Sequence, residues 1–175
     1  MPEIDSITAL GRLLRDGSLR DAYAAQPSQT VDTLGVPPAQ RGALLDLKTE
    51  DLEFQAQVLL RKRFQTVLAL IPLTCSSLGE SAWARFIEYA RDHWPAGNQM
   101  EVLDARDFVQ YLREKHGATI AISETNRIRF ALGTRCISFH FLKRIRLRNR
   151  ERCAVQVFLR LASDQWNEYL FYFSL

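Results

Sequence analysis

The run 49-TEDLEFQAQVLLRKRFQTVLALI-71 decides how the rest of the chain is read. Leu52, Ala56, Leu59, Leu60, Phe64, Val67, Leu68 and Ile71 recur at helical spacing, an apolar stripe over about six turns. Glu50, Asp51 and Glu53 crowd the first turn, where the helix dipole favours anions. Pro72 stops the run, because its ring and missing N–H do not continue a helix. Such a stripe gains little alone, so neighbouring segments are expected to cover it.

Upstream, residues 5–47 read as short helices too small to stand alone. Ile7, Leu10 and Leu14 share one face, and Gly17 is placed to close that helix in a left-handed conformation. Ser18 with Asp21 resembles a cap, Pro27 ends the next helix, and Pro37-Pro38 opens another through Leu44 and Leu45. Downstream, Leu73 to Gly79 reads as a connector. Trp83, Phe86, Ile87, Ala90 and Trp94 then follow helical spacing up to Pro95. Asn98 and Glu101 fit the two ends of a capping box. The helix they start carries Phe108, Val109 and Leu112 inward and closes at Lys115-His116-Gly117.

From Ala118 the period changes to two. Ile128, Phe130 and Leu132 alternate with Arg127, Arg129 and Ala131, Thr119 to Ser123 is a further strand candidate, and Gly133-Thr134 fits a turn. Ile137, Phe139, Phe141, Ile145 and Leu147 then point one way, while Ser138, His140, Arg144, Arg146 and Arg148 point the other. Val155, Val157, Leu159 and Leu161 repeat the alternation, and Trp166 to Leu175 is a last aromatic strand. The expectation is an α+β protein: an N-terminal helical bundle, residues 1–117, followed by an antiparallel β-meander, residues 118–175, packed through its odd-numbered apolar face.

The totals narrow the class. A chain of 175 residues can bury a core without disulfides or metal. Its composition is ordinary for a globular protein, and no apolar run approaches a membrane span, so no membrane partner is expected. The acidic N-terminus, Met-Pro-Glu-Ile-Asp, argues against a secretory signal, and three scattered cysteines suit free thiols in a reducing compartment. Cytoplasm is the expected location. The net charge of +3 divides unevenly: residues 1–117 carry −3 and residues 118–175 carry +6. The charge shift coincides with the change of period at Gly117.

Metal binding and catalysis find little support in the spacing. Cys136 and His140 share a strand face but lie roughly 13 Å apart, too far to chelate one ion, and Cys153 would face the other way. Cys75 and Ser76-Ser77 sit in no nucleophile elbow, and His93 is the nearest candidate base. The carboxylate pairs Glu88/Asp92 and Asp104/Asp107 read as solvated helix surface. No cofactor, metal or catalytic residue is expected. The least ordinary feature is Lys143-Arg144-Ile-Arg146-Leu-Arg148-Asn-Arg150-Glu-Arg152. On a strand, Arg144, Arg146 and Arg148 stack on one face about 6.8 Å apart, repelling one another unless anions or neighbouring acids offset the charge. Lys143, Arg144, Arg146 and Arg148 are therefore the candidate contacts for nucleic acid or an acidic protein, against the alternative of a merely solvated face. Phe158, Tyr169, Phe171 and Tyr172 are candidate stacking platforms.

Two stretches resemble known families. Residues 6–46, with Leu13-Leu14-x-Asp16, Leu19, Tyr23, Pro27 and Leu34-Gly35-Val36, resemble the small helical domain shared by the small subunit of aromatic ring-opening dioxygenases and by nitrogen-fixation-type leader peptides. That resemblance implies helices that assist a catalytic partner without binding iron, or that dock a peptide-modifying enzyme. The Gly-Gly cleavage site of the leaders is missing here. Residues 50–112, with Arg63-Phe64, Leu70-x-Pro72, Leu78-Gly79, Trp83-x-x-Phe86, Tyr89, Trp94-Pro95 and Phe108-x-x-Tyr111-Leu112, resemble a bacterial helical domain described as DNA-binding. The whole arrangement is similar to uncharacterised bacterial proteins. Together these readings lead to the expectation of a non-catalytic binding or regulatory protein that contacts nucleic acid or another anionic partner through a basic sheet face. The alternative is an accessory protein that docks an enzyme through its N-terminal helices.

Overall fold

The computed structural model describes residues 4–147, 150–162 and 165–173, with the backbone alone described for 144–147, 150 and 151. Among the described residues the helices α1 (Ser6–Arg15), α2 (Gly17–Ala25), α3 (Pro27–Leu34), α4 (Pro38–Leu45), α5 (Thr49–Leu70), α6 (Pro72–Leu78), α7 (Ser81–Ala90), α8 (Met100–His116) and α9 (Ile122–Leu132) precede three strands. The strands β1 (Ile137–Leu147), β2 (Arg150–Arg160) and β3 (Trp166–Phe173) form one antiparallel sheet in the order β1-β2-β3. The fold class is α+β, a helical region followed by an antiparallel meander, as the change of period predicts. The chain divides into two compact units. The first comprises Met1–Thr66 and Glu80–Ala96, the second Val67–Gly79 and Gly97–Leu175.

In the first unit the short helices gather around Ala9, Leu13, Tyr23, Val31, Leu34, Val36, Leu44 and Leu52, all buried. Asp5 caps α1 and Asp16 caps α2, each carboxylate accepting from a backbone N–H three residues on. The Tyr23 hydroxyl donates to the Leu44 and Leu47 carbonyls at 2.6 and 3.1 Å, tying α2 to the end of α4. Gly35 closes α3 in the left-handed region. The role expected of Gly17 is different in the fold. It opens α2, and its N–H donates to the Arg91 carbonyl at 2.8 Å. A Cβ there would stand 2.7 Å from Arg91 Cγ and 3.0 Å from Arg91 O, so the glycine permits a close approach of two backbones. Leu52, Ala56 and Leu60 of the α5 stripe are buried, and Phe64 packs on Trp83 and Phe86 with ring centroids 5.3 and 5.2 Å apart. Arg63 lays its guanidinium 4.4 Å over Trp94 and donates to the His93 carbonyl.

Several local readings are corrected. Pro72 does not lead into a connector: it occupies the first turn of α6, where its missing N–H costs nothing. α7 ends at Ala90, short of Trp94 and Pro95. α8 starts from Gln99 without a side-chain cap, so Asn98 and Glu101 form no capping box. Leu68 is exposed, outside the buried stripe. Gly117 closes α8 as expected, with Ala118 N–H donating to the Leu112 carbonyl.

The larger correction lies in the second unit. Residues 122–132 are the helix α9, so Ile128, Phe130 and Leu132 are not strand residues, and 119–123 add no strand. Glu124, Asn126, Ile128, Phe130 and Ala131 are all buried on this one helix. A helix covered over so wide an arc buries alternate positions and imitates a period of two. The pleated period begins at Ile137.

α9 also decides which face of the sheet is packed. Among the described sheet residues Leu142, Ala154, Gln156 and Phe158 are buried at even-numbered positions, with Cys153 beside them, and Phe158 stacks on Phe130 with centroids 4.9 Å apart. Asn126 donates to Gln156 Oε1, Gln156 Nε2 donates to the Ser123 carbonyl and to Glu168, and Glu168 pairs with Arg127 at 2.6 Å. Arg127 in turn donates to the Leu70 carbonyl. The apolar set expected to be packed, Ile137, Phe139 and Phe141, is instead exposed. A satisfied polar network holds α9 to the opposite face, and the burial of Phe158 completes that layer. A register shift between Leu142 and Ile145 breaks the simple alternation of β1.

Candidate anion-binding site

Of the four residues expected to contact an anion, Lys143 is exposed on β1. Arg144 and Arg146 lie on the strand backbone, but their side chains lie outside the described residues, as does Arg148 altogether. Two other cationic groups line one pocket, Arg129 on α9 and Arg135 in the loop entering β1. With Ser138 and His140 they line this pocket of about 390 Å³ in the second unit. Both arginines are exposed, no carboxylate lines the pocket, and neither arginine forms an ion pair among the described residues.

Each wall has a local cause. Arg160 reaches back from β2, donating from Nη2 to the carbonyls of Phe130, Ala131 and Gly133 at 2.7, 3.3 and 2.9 Å. It thereby satisfies the open carbonyls at the end of α9 and lies 5.1 Å over the Phe130 ring. That anchor holds the loop 133–136 against the sheet. Ser138 and His140 stand two apart on β1 and so share a face, with Ser138 Oγ 2.8 Å from His140 Nε2. The His140 ring meets Phe158 edge-on. Burial pushes His140 below the ordinary histidine value, and the cations of Arg129 and Arg135 push it further down. Two permanently charged forks, a hydroxyl and an imidazole around one concavity make a set of donors suited to an oxyanion.

The remaining candidates fall elsewhere. Among the described residues no group of three or more His, Cys, Asp or Glu is placed to hold a metal ion. Cys136 is exposed and Cys153 buried. Cys75 is buried within α6, its thiol pushed up to about 11 by burial and by the nearby Glu124 carboxylate, opposite to what a nucleophile needs. Phe158 is core and offers no stacking surface, while Tyr169, Phe171 and Tyr172 are exposed. Arg129 and Arg135 stand six apart in the sequence and outside the basic run at 143–152, and only α9 and the following loop bring them to one pocket.

Among the described residues no helix is long and apolar enough to cross a membrane. No curated protein and no solved structure matches the chain. One family model, described as the SCO6045-like C-terminal domain, matches residues 45–114, less than half of the chain, a stretch that holds α5 to α7 and all but the last two residues of α8. That description names no dioxygenase subunit, leader peptide or DNA-binding domain, and it agrees with the coarser expectation of kinship to uncharacterised bacterial proteins. Over its central helices, then, this chain is similar to an uncharacterised family, the SCO6045-like C-terminal domain.

Proposed function

We propose that this protein is a binding protein without catalysis of its own, which engages an anionic, phosphate-bearing partner, nucleic acid above all, through the cationic side of its second unit. Arg129 and Arg135 supply the charge, and His140 and Ser138 supply neutral donors. Lys143 and the following Arg144, Arg146 and Arg148 continue the basic character along the chain. The observation that carries this reading is the pocket itself, whose lining includes two arginines, no carboxylate among the described residues, and a histidine whose protonation the arginines oppose.

Inorganic phosphate is the simplest probe. An anion between the arginines cancels their repulsion of the imidazolium, so the His140 titration followed by NMR moves up when phosphate replaces chloride at constant ionic strength. In R129S/R135S the titration already starts higher, and phosphate no longer moves it. A wild-type His140 that titrates identically in both salts contradicts the proposal.

A second reading, an accessory protein that docks an enzyme through its helical part, is favoured by a groove of about 920 Å³ along the first half of α5, beside the 65 % exposed Phe54. It predicts that F54E abolishes binding to the protein encoded beside it, while R129S/R135S does not.

A further inference from the structure

The second face of the sheet is unused by the anion site. Its cross-strand rungs are Phe139, Val157 and Tyr169, then Phe141, Val155 and Phe171. Phe139 is 63 % exposed, Phe141 58 %, Phe171 52 % and Tyr169 44 %. Ile137 at one end and Phe173 at the other are about as open. The strand positions described on this face, 137 to 141 on β1, 153 to 159 on β2 and 167 to 173 on β3, carry no charged side chain.

We propose that this apolar face is a homodimer interface, on which two copies of the chain pack sheet to sheet about a twofold axis. The area supports a stable pair. At 150–250 Å² for each aromatic side chain, the exposed fractions leave roughly 400–670 Å² on the five aromatics, and from the middle of that range about 700 Å² with the neighbouring aliphatic residues. That exceeds the ~300–600 Å² of the largest apolar patch on an ordinary monomer. Two copies bury about 1,400 Å² together, inside the ~1,200–2,000 Å² range of stable protein interfaces. The chemistry selects a second copy as the occupant. A patch with no charge at these described positions offers little to steer or specify an unlike partner, whereas interfaces between identical chains are the more apolar class. Two inner faces meeting at about 10 Å interdigitate as the layers of a β-sandwich do. The lack of cations at these described positions also disfavours a nucleic-acid strand laid across these rings, since stacking platforms work together with a positive groove.

Sedimentation equilibrium of the full chain over a concentration series tests this. The expected mass is twice that of the 20.1 kDa chain. F139E/F171E places two carboxylates in the apolar contact, should weaken association by roughly 100-fold or more, and should leave the far-ultraviolet circular dichroism unchanged, because both positions are open in the single copy. F139S/F171S removes the area without adding charge and should weaken the pair in the same direction, should the charged variant fail to fold. F54E, on α5 in the first unit, should leave the dimer intact. A wild-type monomer at every concentration overturns the proposal. So does a dimer that survives both double variants, or a monomer that takes up a single-stranded oligonucleotide on this face.

Discussion

Replacing Glu124 should destabilise the second unit more than any surface change. This side chain sits on α9 with no exposed area, and its carboxylate accepts from the Leu73 N–H at 2.5 Å, the Thr74 N–H at 3.1 Å and the Thr74 hydroxyl at 2.5 Å. It closes the N-terminus of α6 from a residue 50 positions away in sequence. Glu124→Ala strips the partners from all three donors. Leu73 is exposed, so water replaces its partner, but Thr74 is buried and keeps two donors unsatisfied. At about 1–3 kcal/mol for each buried orphan, the two together come to roughly 2–6 kcal/mol, a large part of a typical domain's stability. Glu124→Gln keeps one acceptor oxygen but turns an amide N–H₂ toward a donor, and should cost about 1–3 kcal/mol. Thr74→Val removes one of the donors, so the double variant E124A/T74V should recover about 1 kcal/mol of the summed losses. Urea unfolding at neutral pH, followed by circular dichroism, reads these differences. A shift under about 1 kcal/mol for Glu124→Ala would refute the idea that this carboxylate holds α6 to α9.

Three further outcomes follow from the same packing. Phe86→Ala should cost about 3–5 kcal/mol, since Phe86 has no exposed area and touches the rings of Phe64 and Tyr89, while the half-buried Trp83→Ala should cost less; equal losses in urea titrations would contradict the burial of that helix face. Gly17→Ala should destabilise by about 1–3 kcal/mol, because its Cβ meets the Arg91 backbone; a neutral or stabilising change in thermal unfolding would mean that α2 and the end of α7 lie further apart. At pH 8 only about one Cys75 thiol in a thousand is ionised, so alkylation should label the exposed Cys136 first and Cys75 only on unfolding; early labelling of Cys75 in peptide mapping counts against its burial.

How much was legible can be traced residue by residue. The helices at 6–45, 49–70 and 100–116 announced themselves through proline, glycine and acidic punctuation, because those signals act within one turn. The meander was visible in the aromatic alternation of β1 and β3. α9 was not, because Ile128, Phe130 and Leu132 alternate in the sequence as strand residues do, while the buried Glu124 and Asn126 that mark the helix's inner side are polar. The packed face of the sheet was misassigned for a related reason. Apolar content points inward only when something is available to cover it, and α9 chose the face carrying Gln156, whose amide it satisfies through Asn126 and the Ser123 carbonyl. Long-range polar bonds of this kind leave no periodic trace. The same holds for the anion site: Arg129 and Arg135 looked unremarkable in sequence, and the arginines that stood out, Arg144, Arg146 and Arg148, have side chains outside the described residues.

The most direct test of anion binding is the salt dependence of affinity for a single-stranded oligonucleotide, measured by fluorescence anisotropy on the full chain. Each phosphate contact contributes about −0.7 to the slope of log affinity against log salt. The wild type should bind with a steep negative slope, and R129S/R135S should flatten it by about 1.4. R144S/R146S/R148S, measured alongside, reports separately what the basic strand adds. Unchanged affinity and slope in R129S/R135S, or no binding by the wild type at low salt, would contradict the role assigned to Arg129 and Arg135.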